Sequence, residues 1–230
     1  MIKLEHIVLP NFEQMEFVIE GMRNPKNSWE KSDSEFYGCN FDETSFGNWY
    51  KLGPNDHDLM QRLSNAGTEH RKYMRMMPVW VRITAPLYWW KEFDTYKVGT
   101  VANSCSTMHK IADKEFTLDD FSYDNLFPWS IDVLQDTIVE MNYYRNIYLN
   151  GGEIKWADTK VYKPKDKEIW WQMIQLLPSS YNQTRNVMLN YEVLANIYRQ
   201  RRGHKLDEWR KVCMWIEELP YSELITGKEK

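Results

Sequence analysis

The stretch from residue 79 to residue 110 constrains the chain most. It opens as VWVRIT, with Val79, Val81 and Ile83 alternating with Trp80, Arg82 and Thr84. A period of two puts the three aliphatic side chains on one face, so a half-buried strand is expected here. Pro86 follows, then LYWWKEF. Proline's fixed φ and missing N–H suit the first turn of a helix, so residues 87 to 93 are expected to be helical and rich in aromatic rings. Directly behind this anchor the chain reads EFDTYKVGTVANSCSTMHK. Small polar residues compete with the backbone for hydrogen bonds and make weak helices and poor strands. Small hydroxyls and an amide at such a place suit the close approach of a ligand.

Elsewhere the apolar spacing is mostly helical. Residues 12 to 22 carry Phe12, Met15, Ile19 and Met22 on one face. Residues 24 to 56 form a long irregular stretch full of turn residues. A short helix is expected from Asp56 to Ala66, stopped by Gly67. Residues 117 to 129 look like a loop. Ser130 is expected to cap a helix that ends at Gly151-Gly152, and residues 153 to 166 to be a connection. Asp166 is expected to cap a helix that ends before Pro178. A long helix is expected from about Gln183 to Arg202, because Val187, Asn190, Leu194, Ile197 and Arg201 recur every three or four residues. Asp207 is expected to cap the last helix. The sum is an α+β chain, mainly helical with a small antiparallel sheet, in a single domain over residues 1 to 230.

Bulk properties exclude several classes. The 230 residues carry a net charge of −4, which disfavours a broad phosphate-backbone interface, so nucleic acid is not expected as a partner. No apolar run reaches the length of a membrane span or a signal peptide, so neither is expected. Cys39, Cys105 and Cys213 are odd in number and far apart. They build no disulfide framework and no zinc ribbon, and a cytoplasmic location is expected. The histidines show no metal-ligand pairing, so no metal is expected. No phosphate-loop, dinucleotide, zinc-protease or nucleophile-elbow motif occurs. The aromatic content is high, with 11 Trp, 14 Tyr and 9 Phe. Most of these rings are expected in the core, and some to line a pocket for a flat ligand.

Two clusters carry candidate chemistry. Asn190, Asn196 and Arg201 stand six and then five residues apart. Two amides and a planar guanidinium suit a ring with carbonyl and N–H edges, such as a pyrimidine or a flavin. On a helix such residues also commonly face solvent or tie down loops. The run RQRRGHK, residues 199 to 205, complements a helix C-terminus and offers a second place for a phosphate.

In this order the features resemble the flavin-dependent thymidylate synthases, over about residues 60 to 215. Three places carry the resemblance. Gly67-Thr68-Glu69-His70, the following strand and Ala85-Pro86 look like the family's Gly/His/Glu segment and the apolar strand that ends in proline. Thr95-Tyr96-Lys97 stands where the family has Arg-His-Arg. The family's Ser, seven residues on, falls on Cys105, or on Ser106 with one inserted residue; Asn103 then takes the place of the family's Asn. The third place is Leu177-Pro178 followed by Asn190, Asn196 and Arg201 at the family's spacing.

The resemblance implies a homotetramer that holds FAD between subunits. The implied reaction is reductive methylation of dUMP with methylenetetrahydrofolate and NADPH. It assigns Asn103, Asn190, Asn196 and His70 to the cofactor and Tyr96, Lys97, Ser106 and Arg201 to the substrate. Arg201 would also be catalytic, stabilising negative charge on the pyrimidine. The chain departs from the family where arginines hold the substrate phosphate, which here are Ile174 and either Met108 or Thr107, and where an arginine holds the flavin, which here is Glu192. Lys110 and Arg185 are candidate replacements. The expected function is therefore FAD-dependent methyl or methylene transfer to C5 of dUMP or a related pyrimidine nucleotide. The alternative is a catalytically inactive homologue that binds a nucleotide or another ligand, or serves as an interaction protein.

Overall fold

The alternation at residues 79 to 84 folds as expected. Strand β4 spans Pro78–Pro86, with Val79, Val81 and Ile83 buried and Trp80 and Arg82 outward. The structure, a computed structural model, describes residues 2 to 37, 49 to 156 and 160 to 227. β4 lies in a four-stranded sheet of order β1-β4-β8-β5, with β1 at Lys3–Val8, β5 at Val101–Ser104 and β8 at Asn182–Asn190. Two antiparallel hairpins are added, β2 (Glu35–Tyr37) with β3 (Trp49–Lys51) and β6 (Ile154–Trp156) with β7 (Lys160–Tyr162). Helices dominate the rest: α1 Phe12–Arg23, α2 Pro54–Ala66, α3 Leu87–Phe93, α4 Pro128–Asn150, α5 Asp166–Leu176, α6 Tyr191–Arg201, α7 Asp207–Glu218 and α8 Glu223–Thr226. The fold is α+β, mainly helical with a small sheet.

The chain divides into two compact units. The first holds residues 1 to 3, 84 to 94 and 104 to 185. Its core is a cluster of Ile111, Phe116, Phe121, Leu134, Met141 and Met173, built largely by α4 against α5. The aromatic helix α3 belongs here, with Trp89, Trp90 and Phe93 buried and Trp89 stacked 5.1 Å from Phe93. Aromatic area on one turn makes α3 a rigid anchor despite its seven residues. The second unit holds residues 4 to 83, 95 to 103 and 186 to 230. Met15, Ile19 and Met22 of α1, the inward residues of β4, and Leu194, Ile197, Trp209 and Ile216 of α6 and α7 form its interior.

Several expected boundaries shift, each for a local reason. The helix expected from Gln183 to Arg202 is two elements. Residues 182 to 190 are strand, because Val187 and Leu189 are buried with a period of two and pair into the sheet. The helix begins at Tyr191, after Asn190 turns extended and caps it. Asn190 and Arg201 therefore do not share a helix face. α4 starts earlier than Ser130, at Pro128, whose missing N–H costs nothing at the first helical position. Asp166 and Asp207 lie in the first turns of α5 and α7 instead of capping them. Residues 153 to 166 contain a hairpin, and the irregular stretch contains β2 and β3. Residues 38 to 48, with Cys39, lie outside the described residues.

Candidate functional site in the second unit

Asn190 is the pivot of the site. Its side-chain oxygen accepts from the Val193 N–H at 3.0 Å, which caps α6 and fixes the amide. The amide nitrogen is thereby turned toward Gly99. Gly99 has φ +77, and a Cβ there would stand 3.0 Å from Asn190 Nδ2 and 3.1 Å from Val193 Cγ2. Only glycine gives both the left-handed backbone and the close approach. The polar segment is thus pressed on the N-terminus of α6, and the two flank a groove of about 420 Å³.

Asn196, six residues further on in α6, lines the same groove, and its Oδ1 accepts from Gln200 Nε2 at 3.0 Å. Val98 and Val193 supply apolar wall. The remaining wall is charged: Arg71, Arg75 and Arg199, with Glu192 among them. Glu192 pairs with Arg71 at 3.5 Å and also binds the Arg75 guanidinium. A carboxylate at this position is therefore surrounded by cationic charge from the short 3₁₀ turn Lys72–Met76 and the residue before it.

At the other end of α6, Arg201 is held by Tyr96 and by Trp209 of α7. Arg201 Nε donates to the Tyr96 hydroxyl at 2.8 Å, and that hydroxyl donates to Gln200 Oε1 at 3.0 Å. The guanidinium lies 4.8 Å over the Trp209 ring, and Tyr96 stands edge-on to Trp209 at 5.9 Å. Tyr96 is buried. A guanidinium stacked on an indole and tied to a phenol loses rotamer freedom, so its orientation is set by the protein.

The first unit has a cavity of its own, of about 740 Å³, at the end of the polar segment. Cys105, Ser106, Thr107 and Thr184 line it together with Lys114 and Asp120. Gln183 organises this wall. Its amide nitrogen donates to the Cys105 carbonyl at 3.2 Å and to the Thr107 hydroxyl at 2.8 Å, and its oxygen accepts from Arg185 at 2.9 Å. Arg185 is also paired with Asp94 at 2.7 Å and lies 4.1 Å over the Trp90 ring.

Structure comparison matches this architecture along its whole length. Thymidylate synthase X from Helicobacter pylori with FAD and dUMP has a TM-score of 0.59, 15% identity, and coverage of 98% of this chain and 97% of that one. A second structure, the flavin-dependent thymidylate synthase from Helicobacter pylori complexed with FAD and dUMP, has a TM-score of 0.59 at 14% identity, covering 100% and 99%. The UMP/dUMP methylase from Streptomyces cacaoi bound with 5-Br dUMP has a TM-score of 0.57 at 12% identity, covering 99% and 94%. The chain has the fold of the flavin-dependent thymidylate synthases. No protein-family model and no curated protein matches its sequence.

Within that fold the residues expected to form the site fall into separate groups. Asn190 and Asn196 share the groove with Gly99. Tyr96 and Arg201 bind each other. Lys97 is exposed. His70 is exposed too, 3.6 Å from Glu69, and does not line the groove. Asn103 lies on β5 and lines a different, mainly apolar cavity beside Trp80 and Val187. Ser106 lies in the first unit, where its hydroxyl accepts from the His109 N–H at 3.2 Å. Of the candidate replacements for the absent arginines, Arg185 is engaged by Asp94 and Gln183, and Lys110 pairs with Asp113 at 3.1 Å.

Arg71, Arg75 and Gly99 were not singled out by the sequence reading. Arg71 and Arg75 are two cations four residues apart, and that was their visible signal; the segment folds as a 3₁₀ turn, and Glu192 gathers the two side chains. The cysteines play different parts. Cys105 is exposed on the first unit's cavity. Cys213 is buried on α7, and burial, with Glu217 nearby, pushes its thiol up to about 11, which leaves it an inert packing group. Among the described residues no cluster could hold a metal ion, and no helix is long and apolar enough to cross a membrane.

Proposed function

We propose that this chain binds FAD and a pyrimidine nucleotide and transfers a methyl or methylene group to C5 of dUMP or a related nucleotide. One observation carries the reading. Asn190 and Asn196 meet the glycine of the polar segment at one groove, in a fold shared with enzymes whose structures contain FAD and dUMP.

The groove's residues fit a flavin nucleotide. Gly99 leaves room where any side chain would collide with Asn190 and Val193. The capping bond uses the Asn190 oxygen and leaves its N–H donors for a ring carbonyl. Val98 and Val193 offer apolar contact, and the arginines offer charge. The buried Nε of Arg71 has no hydrogen-bond partner. FAD, when bound, would supply the redox chemistry; the protein's part is to bind and orient it. Asn190 and Asn196 would hold the ring, Arg201 the pyrimidine, and Lys97 the rest of the nucleotide. NADPH and methylenetetrahydrofolate would be reductant and carbon donor. A homotetramer in the cytoplasm is part of the same proposal.

The test is the visible spectrum of the purified protein before and after FAD addition and desalting. We expect a flavin band that survives desalting, and release of tritium from [5-³H]dUMP when donor and reductant are present. Protein that stays colourless after FAD addition overturns the proposal.

One observation favours the second reading, ligand binding without the reaction. Arg201 and Arg185 are already engaged by internal partners. Rescue of a thymidine-requiring strain that lacks its own synthase decides against that reading. Flavin binding without rescue supports it.

A further inference from the structure

The groove at the start of α6 contains three guanidinium groups and one carboxylate. The whole chain is acidic, at −4, so this concentration of positive charge runs against the molecule's average. Arg71 is 8% exposed. Its Nε is buried and makes no hydrogen bond, and Glu192 stands 3.5 Å away. Arg75 is different: its side chain is 52% exposed, and it takes both carboxylate oxygens of Glu192 as hydrogen-bond acceptors. Arg199 is exposed, and one of its nitrogens reaches back 3.4 Å to the Ala195 carbonyl. One carboxylate thus serves two arginines, satisfying the exposed one and leaving the buried one short.

That arrangement makes sense when an external anion completes it. An anion that takes Arg75 and Arg199 leaves Glu192 to close on Arg71 and satisfy the buried Nε. The positive end of the α6 dipole faces the same groove, because Asn190 caps that helix. The floor between is small and apolar at Gly99 and Val193, as a flat ring beside a charged group needs.

We propose that Arg75 and Arg199 form a subsite for the diphosphate of a dinucleotide, with Glu192 as an internal anion that the ligand displaces from Arg75 onto the buried Arg71. Naming FAD as the dinucleotide rests on the function proposed above; the diphosphate subsite itself does not. It places the ligand's charge on residues outside the segment that resembles Arg-His-Arg, and it accounts for the glutamate at position 192 as a partner of two arginines.

The test uses the full chain and three probes, FAD, riboflavin and inorganic pyrophosphate, against Arg75→Ala, Arg199→Ala and the charge-keeping Arg75→Lys. Binding is read by fluorescence for the flavins and by calorimetry for pyrophosphate. We expect Arg75→Ala to weaken FAD by roughly tenfold or more, the loss of a charge-assisted contact. Riboflavin, which has no phosphate, should change less than about twofold, and Arg75→Lys should recover part of the loss. If FAD and riboflavin weaken equally, or neither weakens in either alanine variant, the subsite is wrong while the flavin reading stands. If no flavin binds but pyrophosphate binds and depends on Arg75, the flavin reading falls and the subsite stands. If pyrophosphate and FAD are both indifferent to Arg75 and Arg199, the subsite is overturned.

Discussion

Asp56→Ala is expected to destabilise the protein by about 3–5 kcal/mol, the cost of leaving a buried charge without its partner. Asp56 lies in the first turn of α2 with no exposed surface. One oxygen accepts from Arg23 Nε at 2.5 Å. The other accepts from the hydroxyls of Ser32 and Ser34 at 2.7 and 2.6 Å and from the N–H groups of Asp33 and Ser34 at 3.2 and 3.1 Å. Removing the carboxylate leaves Arg23, which is 4% exposed, with only the Ser28 carbonyl and hydroxyl as partners, and frees the loop that Asp56 closes. Urea unfolding monitored by tryptophan fluorescence measures the change. A loss below about 1 kcal/mol would mean that water replaces the carboxylate cheaply.

The same site sets an acid limit. Burial alone would raise the Asp56 pKa, but Ser34, Ser32 and Arg23 together outweigh it and hold the carboxyl below the usual aspartate range. A depressed folded-state pKa means that the contribution is complete above the unfolded value of about 4 and is lost as pH falls through the folded value. Stability should therefore fall on acidification below about pH 4, and Asp56→Asn should flatten that part of the profile.

Gly99→Val is expected to lower FAD affinity by roughly tenfold or more and stability by about 1–3 kcal/mol. Two effects act together. The backbone at φ +77 disfavours any residue with a Cβ, and that Cβ would press on Asn190 Nδ2 and Val193 Cγ2 at 3.0 and 3.1 Å. Asn190 cannot retreat without giving up the cap of α6. Gly203→Ala is the control, since no atom lies within 4 Å of a Cβ there and its backbone is outside the left-handed region. Flavin fluorescence quenching and thermal unfolding read the two effects. Wild-type FAD affinity in the valine variant would remove Gly99 from the site.

Much of the fold could be read from one dimension. β4 announced itself because alternation and burial are both local in period. α1 did so through apolar spacing, α2 through the glycine that stops it, and α3 through proline and its run of rings. The error at residues 183 to 190 has a definite cause. Val187, Asn190 and Leu194 fit a helical spacing, while Val187 and Leu189 fit a strand equally well. Pairing into the sheet decided between them, and a sequence window does not contain that partner. Asn190 carried the missing signal, since asparagine ahead of an apolar-periodic segment is a helix-start residue.

The sequence by itself determined strand β4, the helices α1 to α5 and α7, and the segments that bear the amides, the small polar residues and the arginines. These follow from side-chain periodicity and backbone preference, which act over a few residues. Only the tertiary structure decided which of those segments share a site. It set Gly99 on Asn190 and Arg71 and Arg75 on Glu192, and it gave Arg201 to Tyr96 and Trp209. All but Arg201 and Trp209 are far apart in the chain, and close packing of the second unit's interior brings them within hydrogen-bond and van der Waals reach.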